Sequence, residues 1–175
     1  MSHCPHHDHD HECEPFPLEE RLVELEAASE RYGHAITGDM HREVPIFHTV
    51  GLAKRNLPEI VLSARMNPLL CTALLNHLVA YFDKNGFKTG RIDDVFCNKQ
   101  GKELPCFIRP IHVDRATLEN SFEILNYIHR DKTDLELSEV TIVQLIWSDE
   151  NGVLAIEEGF ECHDGIEILP ERVLS

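Results

Sequence analysis

Five histidines and two cysteines stand in the first thirteen residues, MSHCPHHDHDHEC. Imidazole nitrogen and thiolate sulfur suit Zn²⁺, Ni²⁺ and copper, which prefer them to carboxylate alone. In an extended chain His7, His9 and His11 lie on one side, with Asp8 and Asp10 on the other. In a helix His7 and His11 share a face. Cys4 and Cys13 flank this run, with His6 beside it, and the two cysteines could complete a tetrahedral set. With Met1 retained, the free amine, two backbone nitrogens and the His3 imidazole can encircle Cu²⁺ or Ni²⁺ in a plane. The spacing fits no defined structural-zinc pattern. Two readings follow: a segment that captures a zinc, nickel or copper ion, and a disordered polar segment with adventitious affinity. The density of ligands favours the first.

Other residues of suitable type are scattered along the chain. Cys97 and Cys106 could face each other across a hairpin, with Cys162 and His163 the next ligand types downstream. That set lacks the short C-x-x-C spacing of a defined zinc site, and ordinary thiols are the simpler reading. His48, His112 and Asp114 fall near predicted strand ends, where acid–base residues often sit. No cysteine opens a helix, and the acidic surroundings would raise a thiol pKa, so nothing marks an activated nucleophile. G-x-S-x-G, P-loop and G-x-G-x-x-G patterns do not occur.

The elements that must position such residues are legible in part. The chain has 175 residues, 42% of them hydrophobic, which suits one domain with a real core. Residues 1–15 read as a flexible tail and 16–175 as a single α+β domain. The formal charge of −15 repels phosphate backbones and anionic lipid, which argues against nucleic-acid or membrane binding and suits cations or a basic protein partner. No apolar run reaches the roughly 18 residues of a membrane span. The N-terminus lacks the pattern of a secretory signal, so a cytoplasmic setting with reduced thiols is expected.

"PLEERLVELEAASERYG" puts Leu18, Leu22, Leu25 and Ser29 on one face of a helix that starts at Pro17 and stops at Gly33. Strands are expected over about 44–52 and 58–65. "NPLLCTALLNHLVAYFDKNG" predicts a helix capped by Asn67, opened by Pro68 and ended by Gly86, with Leu70, Ala73, Leu74, His77, Leu78 and Tyr81 as its apolar stripe. Cys71 reads as core. A hairpin turning near Gln100 to Lys102 follows, then a helix from Asp114 that buries Leu118, Phe122, Leu125 and Ile128. "VTIVQLIW" is a strand covered on both faces. The order predicts a layered α+β domain with a mostly antiparallel sheet and about three helices.

Three stretches together, "FHTVGLAKRNLPEIVLS", "LLNHLV" and "VQLIWSDENGVLAIEEGF", resemble the bacterial domain-of-unknown-function family 4262 over about residues 44–160. Gly51, Leu52, Pro58, Glu59, Leu75, Asn76, Gln144, Trp147, Asp149 and Gly152 match that family's pattern. His48 stands where the family more often has an aromatic, and Leu57 where it has histidine. The resemblance implies an uncharacterised cytosolic bacterial protein and carries no activity with it.

The matched segments are strand ends and turns, so Gly51, Pro58, Trp147 and Asp149 are expected on one side of the sheet. A pocket there would draw on His48, Thr49, Gly51, Glu59, Trp147 and Asp149. Glu59 begins a buried strand, and a carboxylate enclosed there needs a backbone N–H or a cation such as Arg65 or Arg109. Three functions remain: a binding or accessory module with a metal-binding tail, a small hydrolase-like enzyme with its pocket near Thr49 and Trp147, and an acidic interaction or inhibitor module.

Overall fold

A computed structural model describes residues 18–112, 140–161 and 165–170. Among these residues the chain forms two α-helices and a mixed six-stranded sheet. The expected helix from Asp114, the N-terminal tail, Cys162 and His163 lie outside the described residues.

Helix α1 spans Leu18–Tyr32, with Glu19 and Glu20 in its first turn and Arg31 in its last, the arrangement that complements the helix dipole. The Gly33 N–H donates to the Ser29 carbonyl at 2.8 Å and ends it. Leu22 and Ser29 are buried, on the face the spacing marks. Strand β1, Ala35–Asp39, carries little strand signal of its own: "AITGD" is short and holds Gly38 and Asp39, both poor strand formers. It forms because Ala35 and Thr37 face α1 while its backbone pairs along the whole length of strand β2, Ile46–Val50. A one-turn 3₁₀ helix, Leu52–Arg55, leads to strand β3, Glu59–Ser63.

Helix α2 spans Pro68–Asn85. The Asn67 side chain accepts from the Leu69 N–H at 2.9 Å, and the Gly86 N–H closes the other end on Phe82. Its buried residues are Cys71, Leu75, Leu78, Val79 and Phe82, so the expected stripe through Leu70, Ala73 and His77 is rotated from the face actually used. The helix is apolar nearly all round, and several stripes satisfy the same periodicity. Packing against the sheet selects among them.

Strands β4, Gly90–Cys97, and β5, Glu103–Pro110, form the expected hairpin. Asn98 shapes its turn by accepting from the N–H groups of Gln100 and Lys102. Strand β6, Ile142–Trp147, is buried at all six positions, as an apolar strand covered on both faces should be. The sheet order is β1-β2-β3-β6-β5-β4, and only β3 with β6 is parallel among its five pairings.

Side chains alternate between two cores. One face carries Phe47, Ile60, Leu62, Ile108, Val143, Leu145 and Trp147 against α2. The other carries Ile46, Val50, Val61 and Ile142 against Leu22 of α1, with Ile111, Val140 and Leu169. Register aligns Thr37, His48, Val61, Gln144 and Arg109 into one row straight across five strands. By alternation this row belongs to the α1 face.

Candidate functional site

Glu59 opens β3 and is fully buried. The chain arriving from β2 closes around its carboxylate. Oε2 accepts from the Thr49 hydroxyl at 2.7 Å, and Oε1 accepts from the N–H groups of Gly51 at 2.8 Å and Ala53 at 3.2 Å. The Thr49 oxygen in turn accepts from the Ile60 N–H at 2.8 Å. The carboxylate thus caps the 3₁₀ turn and binds the end of β2 to the start of β3. Hydrogen bonds to a charged acceptor are the strong kind, and they offset the cost of burying it.

Gly51 is required twice over. Its φ is +103°, and a Cβ there would stand 2.0 Å from the Ser29 hydroxyl of α1. The expectation that a backbone N–H meets Glu59 holds. Arg65 bonds Glu43, and Arg109 donates to the Leu169 carbonyl.

His48 lies in the middle of β2 rather than at a strand end, and it is buried. Its Nδ1 is 3.1 Å from the Thr49 carbonyl, a contact that requires Nδ1 to carry the proton and donate. Burial pushes its pKa down to about 4, against the upward pull of that hydrogen bond and of Glu59, with Arg21 adding a smaller downward push. The imidazole is neutral at physiological pH. His112, past the end of β5, is exposed, and its N–H donates to the Pro170 carbonyl at 3.0 Å. Asp114 lies outside the described residues.

Trp147 ends β6 and is nearly buried in the α2 core. Asp149 follows and organises the next loop. Its Oδ1 accepts from the N–H groups of Asn151 and Val153, both at 2.9 Å, and its Oδ2 accepts from Glu161 at 3.1 Å. Desolvation works to raise its pKa, but the backbone donors of Val153, Glu161, Asn151 and Gly152 together outweigh it and hold the carboxyl below its usual range.

The expected gathering of the matched residues does not occur. Glu59 pairs with Ile142 at the start of β6, and Trp147 is at its far end, on the order of 16 Å along the strand. Thr49, Gly51, Pro58 and Glu59 form one cluster, and Trp147, Asp149 and Gly152 another. The reason is the parallel pairing of β3 with β6, which puts the two strand starts together and sends their ends the same way. A depression of about 370 Å³ runs along Glu19, Glu20, Val23 and Glu24 of α1, away from both clusters.

The thiols do not converge either. Cys97 pairs with Glu103 at the turn end of the hairpin, whereas Cys106 pairs with Ile92 farther along β4. Cys97 is exposed and Cys106 buried. Desolvation pushes the Cys106 thiol up to about 12, the behaviour of a core residue and not of a nucleophile. Cys71 is buried in the α2 core. Among the described residues no group of three or more His, Cys, Asp or Glu could hold a metal ion. The seven ligand candidates from His3 to Cys13 lie outside the described residues. His77 bonds the Val95 carbonyl at 2.7 Å and His34 bonds Asn76 at 2.8 Å.

One functional-looking residue gained its meaning only from the fold. Gln144 is fully buried at the centre of the sheet, and its amide holds the backbone of residues 167–169. The sequence marks it in two ways, as a polar residue inside an apolar strand and as a position that matches the family pattern.

A family model described as Domain of unknown function (DUF4262) matches residues 29–161, well over half of the chain. No curated protein and no solved structure matches it. No helix among the described residues is long and apolar enough to cross a membrane.

Proposed function

We propose, for a chain that belongs to the DUF4262 family and takes no activity from that family's description, a binding or accessory module that captures a transition-metal ion through residues 3–13. The observation that carries this reading is the ligand set itself: His3, Cys4, His6, His7, His9, His11 and Cys13 within thirteen residues. In the body, the carboxylates of the matched motifs already accept hydrogen bonds from the protein's own backbone, which suits a frame rather than a reaction centre. The proposed setting is the bacterial cytoplasm, where the thiols remain reduced and able to ligate. The hydrolase-like alternative loses its shared pocket, since Thr49 and Trp147 stand apart.

Imidazole must be neutral and thiol deprotonated to ligate, so metal competes with protons. Titrating zinc into the untagged protein tests the reading. Uptake is expected at pH 7.5 and should fall steeply below about pH 6, near the ordinary histidine pKa. Replacing His7, His9 and His11 with Ala should remove most of it. Undiminished affinity in that variant would contradict the proposal.

A further inference from the structure

Asn-Gly occurs twice in the chain, at 85–86 and at 151–152, and both asparagines are exposed. The pair is chemically reactive. The glycine nitrogen can attack the asparagine side-chain carbonyl, close a five-membered succinimide and expel ammonia, after which water opens the ring. Asparagine counts among the thermolabile residues for this kind of chemistry. Glycine permits the attack because it has no Cβ to obstruct the approach and its backbone turns freely.

The fold treats the two pairs differently. Asn85 ends α2, whose regular dihedrals fix its backbone. Its Nδ2 donates to the Tyr81 carbonyl at 3.0 Å, and the Gly86 N–H donates to the Phe82 carbonyl at 2.8 Å. Closing the ring there means unwinding the last helical turn. Asn151 lies in the turn after β6, and among the described residues its side-chain amide forms no hydrogen bond. Its backbone carbonyl accepts from the Lys102 ammonium at 3.0 Å. That carbonyl belongs to the peptide unit of Gly152 N, so a cation on its oxygen favours the amide anion that carries out the attack. The Gly152 N–H donates to the Asp149 carbonyl at 3.0 Å, a bond within an exposed turn that local opening releases.

We propose that Asn151 is a modification site, converted by its own backbone to isoaspartate and aspartate. The bond from Gly152 N to Asn151 Cγ forms as the bond from Cγ to Nδ2 breaks, and the proton lost from Gly152 N leaves with Nδ2 as ammonia. Water then cleaves the ring at either carbonyl. Cleavage at the backbone carbonyl routes the main chain through the former side chain, which adds a methylene to it and leaves a free carboxylate. The lengthened chain cannot keep the spacing by which Asp149 Oδ1 accepts from residues 151 and 153, both at 2.9 Å. A new negative charge also stands close to Asp149 and Glu150. The loop that Asp149 winds is thereby loosened. This chemistry is independent of metal capture.

The full wild-type chain is incubated in mildly alkaline buffer, digested and read by mass spectrometry, with an isoaspartyl methyltransferase assay separating the two acids. Deamidation at Asn151 should run at least tenfold faster than at Asn85, accelerate with pH and yield more isoaspartate than aspartate. Lys102→Met should slow it about threefold while leaving Asn85 unchanged. In the converted chain the Val153 and Glu161 amides should exchange hydrogen at least tenfold faster, with β6 still protected. Equal rates at the two asparagines, or aspartate as the sole product at 151, would overturn the proposal. An unaltered Val153 exchange rate after conversion would overturn the effect assigned to the loop.

Discussion

Glu59 and Asp149 are two carboxylates of the matched motifs that hold backbone at opposite ends of the sheet. Asp149 collects N–H groups from its own downstream loop, at Asn151, Val153 and Glu161. Glu59 collects donors from the end of the preceding strand and the turn, at Thr49, Gly51 and Ala53. The first winds a surface loop. The second joins two strands of the sheet, and through Gly51 it meets α1, whose Ser29 leaves no room for a Cβ. The same functional group therefore has local work in one place and framework work in the other. Burial separates the two: Glu59 has no exposed surface, whereas Asp149 retains a little.

Removing each carboxylate should expose that difference. Glu59→Ala leaves the Thr49 hydroxyl and the Gly51 and Ala53 N–H groups without an acceptor inside the protein. Unmade buried hydrogen bonds cost about 1–3 kcal/mol each, so a loss of about 3 kcal/mol or more is expected in urea unfolding. A loss within about 0.5 kcal/mol would mean that the knot is incidental.

His48 sharpens the comparison through pH. Its pKa is about 4 in the folded protein against an ordinary 6.5. The unfolded chain therefore binds a proton that the folded one refuses between those values, and stability falls as pH drops through the window. The full effect is on the order of 3 kcal/mol. His48→Phe should flatten that part of the stability profile between pH 6.5 and 4 while leaving the profile above pH 7 nearly parallel. An unchanged acid slope in denaturant titrations would show that His48 is not shielded as described.

Smaller still, Thr49→Val removes one donor to Glu59 and one acceptor for Ile60, for an expected loss of about 1–2 kcal/mol in the same assay. Asp149→Ala should have the least effect on the global midpoint. Its signature is local: faster hydrogen exchange at Asn151, Val153 and Glu161, with β6 still protected. Loss of protection throughout β6 would erase the distinction between loop and framework.

The sequence revealed these regions unevenly. The strong helix signals, Asn67, Pro68 and Gly86, act within a few residues, and α2 formed where they placed it. The unbroken apolar run of β6 also speaks for itself. Glu59 was legible as a buried carboxylate in need of an N–H. Its particular donors were not, because the fold of the preceding turn supplies them. The face of α2 depended on the sheet beneath it, and β1 on a partner strand that compensated for Gly38. The separation of Trp147 from Thr49 followed from one parallel pairing between strands about 80 residues apart, which no local pattern encodes. The row from Thr37 to Arg109 needed four registers at once.

The proposed function treats the body as a frame and assigns metal capture to residues 3–13. Thermal unfolding with and without zinc, under conditions where calorimetry shows the metal bound, tests that division most directly. A ligand that binds only the folded state stabilises it by about 2.7 kcal/mol at a hundredfold excess over its Kd. A ligand held by a tail that needs no fold stabilises nothing. The domain's Tm is therefore expected to stay within about 1 °C when zinc saturates the protein. A rise of several degrees would place the metal in the folded body and contradict the account.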